Sequence, residues 1–254
     1  MSEKRAALVT GGARRVGRAI VQALSQAGFG VAIHCSSSLE EANLLRDDIN
    51  AGGGNACVVQ GDLAAESDVR TIIPAAAALL QVPISCLVNC ASTFTPDDHS
   101  TENRDIWDNH MQVNLRSPMV LGQELLKQLP PLAEGQIVNI LDQRVFNLSP
   151  LFASYTVSKT ALWTLTQSSA IALAPRIRVN AVAPGPVLPS VRQSQEVFDE
   201  QCSHLPLQRN VKKEDIAAAV LFLLNCSSMT GQCITVDCGE SMGFVHPGAS
   251  MSQE

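Results

Sequence analysis

Two reactive side chains stand about one helical turn apart. Tyr155 is the single tyrosine of the chain, and Lys159 follows four positions later. If Ser154–Leu173 is a helix, both lie on one face. A cation beside a phenol stabilises the phenolate and lowers its pKa, making Tyr155 a candidate proton donor or acceptor near neutral pH. Alone, such a pair is common. A second feature lies near the start of the chain, in Thr10-Gly11-Gly12-Ala13-Arg14-Arg15-Val16-Gly17. Glycines between a strand and a helix let the backbone approach a pyrophosphate, which then meets the free N–H groups of the helix start. The plain alternative is a tight turn.

Arg14 and Arg15 carry two positive charges into that turn, as a phosphate clamp or as a solvated pair. The next strand ends in His34-Cys35-Ser36-Ser37-Ser38, with no acid before Glu40. A carboxylate at this point would hydrogen-bond a ribose 2′-OH and repel a 2′-phosphate. Hydroxyls and a histidine accommodate the phosphate, so NADP is expected over NAD. His34 reads alternatively as a satisfied core residue.

The elements that must position these groups alternate along the chain. Apolar strands are expected at Ala6–Thr10, Val31–Cys35, Ala56–Gln60, Ile84–Asn89, Gly135–Leu141, Ile177–Val182 and Cys233–Asp237. Helices are expected at Val16–Ala27, Leu39–Asn50, Ser154–Leu173 and Glu214–Leu224, with an Ala-rich helical stretch that Pro74 interrupts or restarts. Strands this apolar are buried on both faces, and intervening helices supply crossovers. The fold class is therefore α/β, a Rossmann-type doubly wound parallel sheet. The 254 residues suit a single domain over 1–254, with 246–254 as a loose tail. Pro186–Gln208 is polar and reads as a lid over the strand ends.

Composition narrows the class. The net charge of −6 argues against a basic nucleic-acid footprint, and no apolar stretch approaches the ~20 residues of a spanning helix. Eight cysteines fall partly inside apolar runs, without a CxxC pair. Free thiols in a reducing, cytoplasmic setting are expected, with no metal site.

Seven motifs occur together: TGGARRVG at 10–17, GDL at 61–63, VNCAS at 88–92, Asn114 in MQVNL, SYTVSK at 154–159, RVNAVAPGPV at 178–187 and TGQCITVDCG at 230–239. In that order the chain resembles the short-chain dehydrogenase/reductase family from about residue 5 to 244. The resemblance implies Tyr155 as acid/base and Lys159 as its tuner and ribose ligand. It implies that Asn114 kinks its helix and links Lys159 to a relay water. Gly11, Val16 and Gly17 would form the phosphate turn, and Asp62 and Leu63 would contact adenine. Asn89 and Ala91 would line the cofactor channel, and Pro184, Gly185 and Val187 would approach the nicotinamide. Asn89 and Asn114 also read as buried structural ties. The family's usual tetramer is implied, with Ala161–Leu173 and Ile216–Leu224 as candidate surfaces.

Three departures narrow the substrate. Asp142 stands thirteen residues before Tyr155, where the family places serine; the stretch after the fourth strand reads Asn89-Cys90-Ala91-Ser92; and Arg15 replaces a glycine of the turn. Together they resemble the pteridine reductase branch, as does the run HCSSSLEEAN. That likeness implies that Phe94 stacks a flat pterin against the nicotinamide, that Ser92 touches cofactor and pterin, and that Arg15 reaches the pterin side. An aromatic face suits a planar heterocycle. Asp142 can accept from ring N–H and amino groups or relay a proton. Core packing for Phe94 and an ion-paired structural role for Asp142 are the plainer readings. Ser37 stands where a basic 2′-phosphate ligand is expected, leaving Arg14, Arg15 and Ser38 to supply that affinity. The expected activity is NADPH-dependent reduction of a dihydropterin, with folate as a related substrate. The alternatives are carbonyl or 3-oxoacyl reduction, and a non-catalytic NADP-binding sensor.

Overall fold

The computed structural model describes residues 5–101, 103–190 and 192–243. The seven strands are β1 (Ala6–Val9), β2 (Gly30–Cys35), β3 (Ala56–Gln60), β4 (Ile84–Asn89), β5 (Gly135–Ile140), β6 (Ile177–Pro184) and β7 (Cys233–Val236). They form one sheet in the order β3-β2-β1-β4-β5-β6-β7, and every pairing is parallel. The expected Rossmann-type architecture is what forms. The proposed tail at 246–254 lies outside the described residues.

The helices are α1 (Arg15–Gln26), α2 (Leu39–Ala51), α3 (Glu66–Leu80), α4 (Arg104–Met111), α5 (Ser117–Gln128), α6 (Ala153–Ala172), α7 (Gln195–Ser203) and α8 (Lys213–Asn225). Alternate strand residues feed two cores. Ala7 and Val9 point with Val31 and Ile33 toward Ile20, Leu24, Leu45 and Val220. Ala6 and Leu8 point with Leu87 toward Ile72, Ile73, Leu121 and Leu125 on the other face. Each of these large side chains contributes roughly 1.5–3 kcal/mol by leaving water. Such two-sided burial is why the strands read as continuous apolar runs.

Several helices differ from the sequence expectation. The run between β4 and β5 holds α4 and α5, joined by a π-helical segment at Gln112–Arg116. The wider turn rotates the apolar stripe between them, so no single 3.6-residue period spans the run. Pro74 neither interrupts nor restarts its helix, because α3 continues through it. The polar segment 186–208 contains α7, started by Ser194 accepting from Val197 N–H and held down by buried Phe198 and Cys202. In α8, the expected subunit surface is largely spent inside the chain: Ile216, Val220, Leu223 and Leu224 are buried, while Phe222 is exposed.

Strand order reverses where β1 lies between β2 and β4, which opens a crevice at the strand C-termini. The first turn is packed tightly there. A Cβ on Gly17 would lie 2.1 Å from the Gly11 carbonyl oxygen, and one on Gly11, at φ +62°, would lie 3.1 Å from Ala91 Cα. Gly17→Ala is therefore expected to lower stability by about 1–3 kcal/mol through forced displacement of the turn. Urea unfolding measures this, and a wild-type midpoint would show that the turn tolerates the methyl.

Candidate active site

The crevice holds two adjoining cavities of about 440 and 330 Å³, which share Arg15, Val16, Cys90 and Ser92. The larger follows the glycine turn and the end of β2. Thr10 fastens the turn to β4, its Oγ1 accepting from the N–H groups of Cys90 (2.9 Å) and Ala91 (3.0 Å). α1 begins with no side-chain cap and no acid in its first turn. Its free N–H groups and partial positive charge fit a pyrophosphate, as does the glycine cradle.

The arginines of the turn have specific partners. Arg14 is paired with Glu41 in the first turn of α2. The sequence reading stopped at Glu40, and the fold brings the next acid to the clamp. Arg15 has φ +50°, a left-handed conformation that accounts for the glycine usual there. Its guanidinium donates to the Leu188 carbonyl at 3.1 Å and to that of Pro189 at 3.2 Å, tying the turn to the chain after β6. Both arginines line the crevice, but neither is a free phosphate clamp.

His34 lines the same cavity without offering charge. Gly11 N–H donates to its Nδ1 at 3.2 Å, so Nε2 carries the proton toward the Gly61 carbonyl at 3.1 Å. Burial drives its pKa down to about 4. It is a neutral brace, the core reading left open for it. Ser36, Ser37 and Ser38 border the cavity at the start of α2, with Asp62 and Leu63 opposite; the Ser38 hydroxyl makes no cap bond. Ala91 and Ser92 line the cavity, but Asn89 is buried elsewhere, donating to Asn139 Oδ1 at 2.8 Å.

The smaller cavity meets Tyr155, Lys159, Asp142, Phe94, Pro184, Gly185 and Val187. Gly185 answers to packing as well, since a Cβ there would lie 2.8 Å from Asp237 Cα. Tyr155 sits in the first turn of α6 and donates from Oη to Asp142 Oδ2 at 2.8 Å. Asp142 follows β5 and starts a short 3₁₀ turn, its Oδ1 accepting from Arg144 N–H at 2.9 Å. Lys159 Nζ donates to the Ile140 carbonyl at 2.8 Å and lies 5.8 Å from the Tyr155 ring centroid.

This geometry reverses the expected pKa effect. Burial and the Asp142 carboxylate push the Tyr155 phenol well above its ordinary value, with weaker opposition from Arg144 and Ser92. The anion bonds the hydroxyl itself, whereas the lysine lies over the ring. Burial lowers Lys159 to about 8, with Asp142 and Cys90 pulling the other way.

Asn114 sits in the π-helical segment that joins α4 to α5. Its side chain donates to Ser158 Oγ at 3.0 Å and to the Thr93 carbonyl at 3.1 Å. Its Oδ1 accepts from Thr93 N–H at 2.9 Å and from Ser92 Oγ at 3.0 Å. These bonds make it a support of the Ser92–Phe94 loop. Phe94 stacks on Phe152 with centroids 4.2 Å apart and meets Tyr155 edge-on at 4.6 Å. One face of Phe94 is therefore already covered by protein. Phe152 enters α6 at φ +58°, a strained conformation for a bulky residue.

A profile described as Enoyl-(Acyl carrier protein) reductase matches residues 11–241. The chain is 32% identical to the short-chain dehydrogenase/reductase eriH of Hericium erinaceus, over 94% of this chain and 98% of that one. The chain belongs to the short-chain dehydrogenase/reductase family. Within that family it is 30% identical to the 3-oxoacyl-[acyl-carrier-protein] reductase FabG of Staphylococcus aureus, covering 95% of this chain and all of the other. A crystal structure of FolM alternative dihydrofolate reductase 1 from Brucella canis, complexed with NADP, is 48% identical. It superposes with a TM-score of 0.92 over 97% of both chains.

Three further residues, not singled out by any motif, brace or line the crevice. His110 is fully buried; it accepts from Thr95 N–H at 3.1 Å, leaving Nδ1 to donate to Ser154 Oγ at 2.6 Å. Asp97 accepts from Ser154 N–H at 3.0 Å, placing a carboxylate at the start of α6. Gln143 lines the smaller cavity, 6% exposed, and its carboxamide oxygen has no hydrogen-bond partner among the described residues. Only its adjacency to Asp142 marked it in sequence.

With one tyrosine in the chain, phenolate absorbance titrates Tyr155 alone. Asp142→Asn removes an anion and leaves a neutral partner, so the native-state midpoint is expected to fall below that of the wild type. An unchanged midpoint would mean that the carboxylate does not act on the phenol.

Proposed function

We propose that this chain is an NADPH-dependent reductase of a dihydropterin ring, with folates in the same class. The observation that carries the reading is the 2.8 Å bond between Tyr155 and Asp142 at the edge of the smaller cavity. A carboxylate there opposes the alkoxide that develops in ketone reduction. It suits a heterocycle that presents N–H and amino donors, and Gln143 offers a further donor and acceptor beside it. The 48% identical relative, described as an alternative dihydrofolate reductase complexed with NADP, supports both substrate class and cofactor.

The cofactor would lie along the larger cavity. Its pyrophosphate would rest on Gly11, Val16, Gly17 and the start of α1, and its 2′-phosphate beside Ser36–Ser38 and Arg14. Adenine would meet Asp62 and Leu63, and the nicotinamide would lie near Ala91, Pro184, Gly185 and Val187. When bound, NADPH supplies the hydride.

Tyr155, fully protonated at neutral pH, gives its proton to the substrate ring nitrogen. The phenolate left behind faces Asp142, and two adjacent anions are unfavourable. The Lys159 ammonium offsets them, which requires that it keep its proton. Phe94 bounds the pterin with its remaining face, and Ser92 and Arg15 border the opening between the two cavities. A homotetramer formed through exposed Ile171 and Val157 on α6 belongs to the same proposal. No described helix is long and apolar enough to cross a membrane.

3-Oxoacyl reduction is the second reading, favoured by the 30% identity to FabG over its full length. A sensor without catalysis fits poorly with Tyr155 and Lys159 both facing the cavity.

NADPH consumption with dihydrobiopterin, dihydrofolate and acetoacetyl thioester separates the readings; turnover of the thioester alone would overturn the pterin assignment. Tyr155→Phe is expected to cut pterin turnover by about 10²-fold or more, while NADPH affinity stays within a few-fold in a fluorescence titration. Full turnover in that variant would remove Tyr155 from its role. Lys159 is charged below about 8, so pterin turnover is expected to decline as pH rises through that value. A flat profile from neutral to alkaline pH would show that the ammonium is not needed.

A further inference from the structure

A separate groove of about 520 Å³ lies outside the reaction cavity, lined by Phe94, Pro96, Phe152 and Val197 together with Arg192. It meets the reaction cavity at Phe94, Ser190 and Gln193, which line both. It is larger than that cavity, and its aromatic wall is the stacked Phe94–Phe152 pair.

Arg192 is the one charged residue among those lining the groove. Its Nη2 donates to the Phe94 carbonyl at 3.2 Å. Its Cζ lies 5.5 Å from the Phe94 centroid and 5.7 Å from that of Phe152. With those rings 4.2 Å apart, near-equal distances put the guanidinium beside the pair, not beyond either face. Among the described residues no carboxylate pairs with it. A guanidinium has five N–H donors in a planar fork suited to a carboxylate. On a chain of net charge −6, an anionic ligand needs such a local cation.

We infer that this groove receives the aryl tail of a dihydrofolate and that Arg192 reads its carboxylate. The inference rests on the pterin reading and extends it. An apolar trough with one cation matches a flat aromatic body that ends in an anion. A tail-less dihydropterin fills only the inner cavity and leaves Arg192 without an anionic partner. Arg192 is a specificity residue here, distant in role from the proton transfer at Tyr155.

The test compares kcat/KM for dihydrofolate, its dimethyl ester and dihydrobiopterin in the wild type, Arg192→Ala and Arg192→Lys. The wild type is expected to prefer the free acid over the ester by about tenfold, the scale of a partly solvated charged hydrogen bond. In Arg192→Ala that preference disappears, through a rise in KM for the acid, and Arg192→Lys restores part of it. Equal use of acid and ester by the wild type would overturn the inference. So would an equal loss on all three substrates in Arg192→Ala, which would make Arg192 only a hook on the Phe94 carbonyl. Either result leaves the pterin reading standing. A wild type that turns over no pterin overturns both.

Discussion

Tyr155 is 6% exposed and bonded to a carboxylate oxygen, so its proton is held far more firmly than in water. The rest of the site is built around that condition. Asp142 is fixed because its other oxygen accepts from Arg144 N–H as a short turn leaves β5. Lys159 approaches from the next turn of the helix that carries Tyr155 and is pinned by the carbonyl of Ile140, two residues before Asp142. A phenol, a carboxylate and an ammonium thus converge from two elements, each anchored by backbone geometry. The carboxylate makes the phenol a reluctant anion and the ammonium a necessary neighbour, a balance suited to donating a proton to a basic ring nitrogen.

The opposite side of the crevice depends on close packing. Gly17 against Gly11, and Gly11 against Ala91, bring the start of α1 and the residues after β4 so near that a side chain at Gly17 would run into backbone. Arg15 accepts a left-handed conformation inside this turn and uses its side chain to hold the segment after β6. The loop carrying Phe94 is held from behind by Asn114, His110 and Asp97, which also fix the start of α6. The Phe94 loop and the start of α6 therefore share their supports. A change in one is expected to be felt in the other.

Much of the fold was legible in the sequence. All seven strands fall where apolar runs bounded by turn residues indicate, because burial on both faces leaves an unbroken hydrophobic signature in the inner strands, while edge strand β7 is only partly buried. α4 and α5 were not legible, since the π-helical segment breaks their common period and α4 is short and polar. α7 was hidden in a polar stretch, and only two of its residues, Phe198 and Cys202, are buried. At the site, Tyr155, Asp142 and Lys159 were named from sequence and do converge. His34 and Asn89 were named with them and brace the sheet, His34 through Gly61 and Asn89 by donating to Asn139, while the Asn114 side chain ties Ser158 to the Ser92–Phe94 loop.

By itself, the sequence determined the strand pattern, the glycine turn and the presence of a phenol, a carboxylate and an ammonium at family spacings. These are local properties: periodicity, backbone freedom and residue chemistry are written in consecutive positions. The tertiary structure decided which charge touches which group. Glu41 reaches Arg14, Asp142 rather than Lys159 meets the Tyr155 hydroxyl, and Arg192 comes to lie beside two stacked rings 98 and 40 residues away. Electrostatic effects fall off over a few ångströms and depend on burial, and neither distance nor burial is fixed until the sheet has brought its strand ends together.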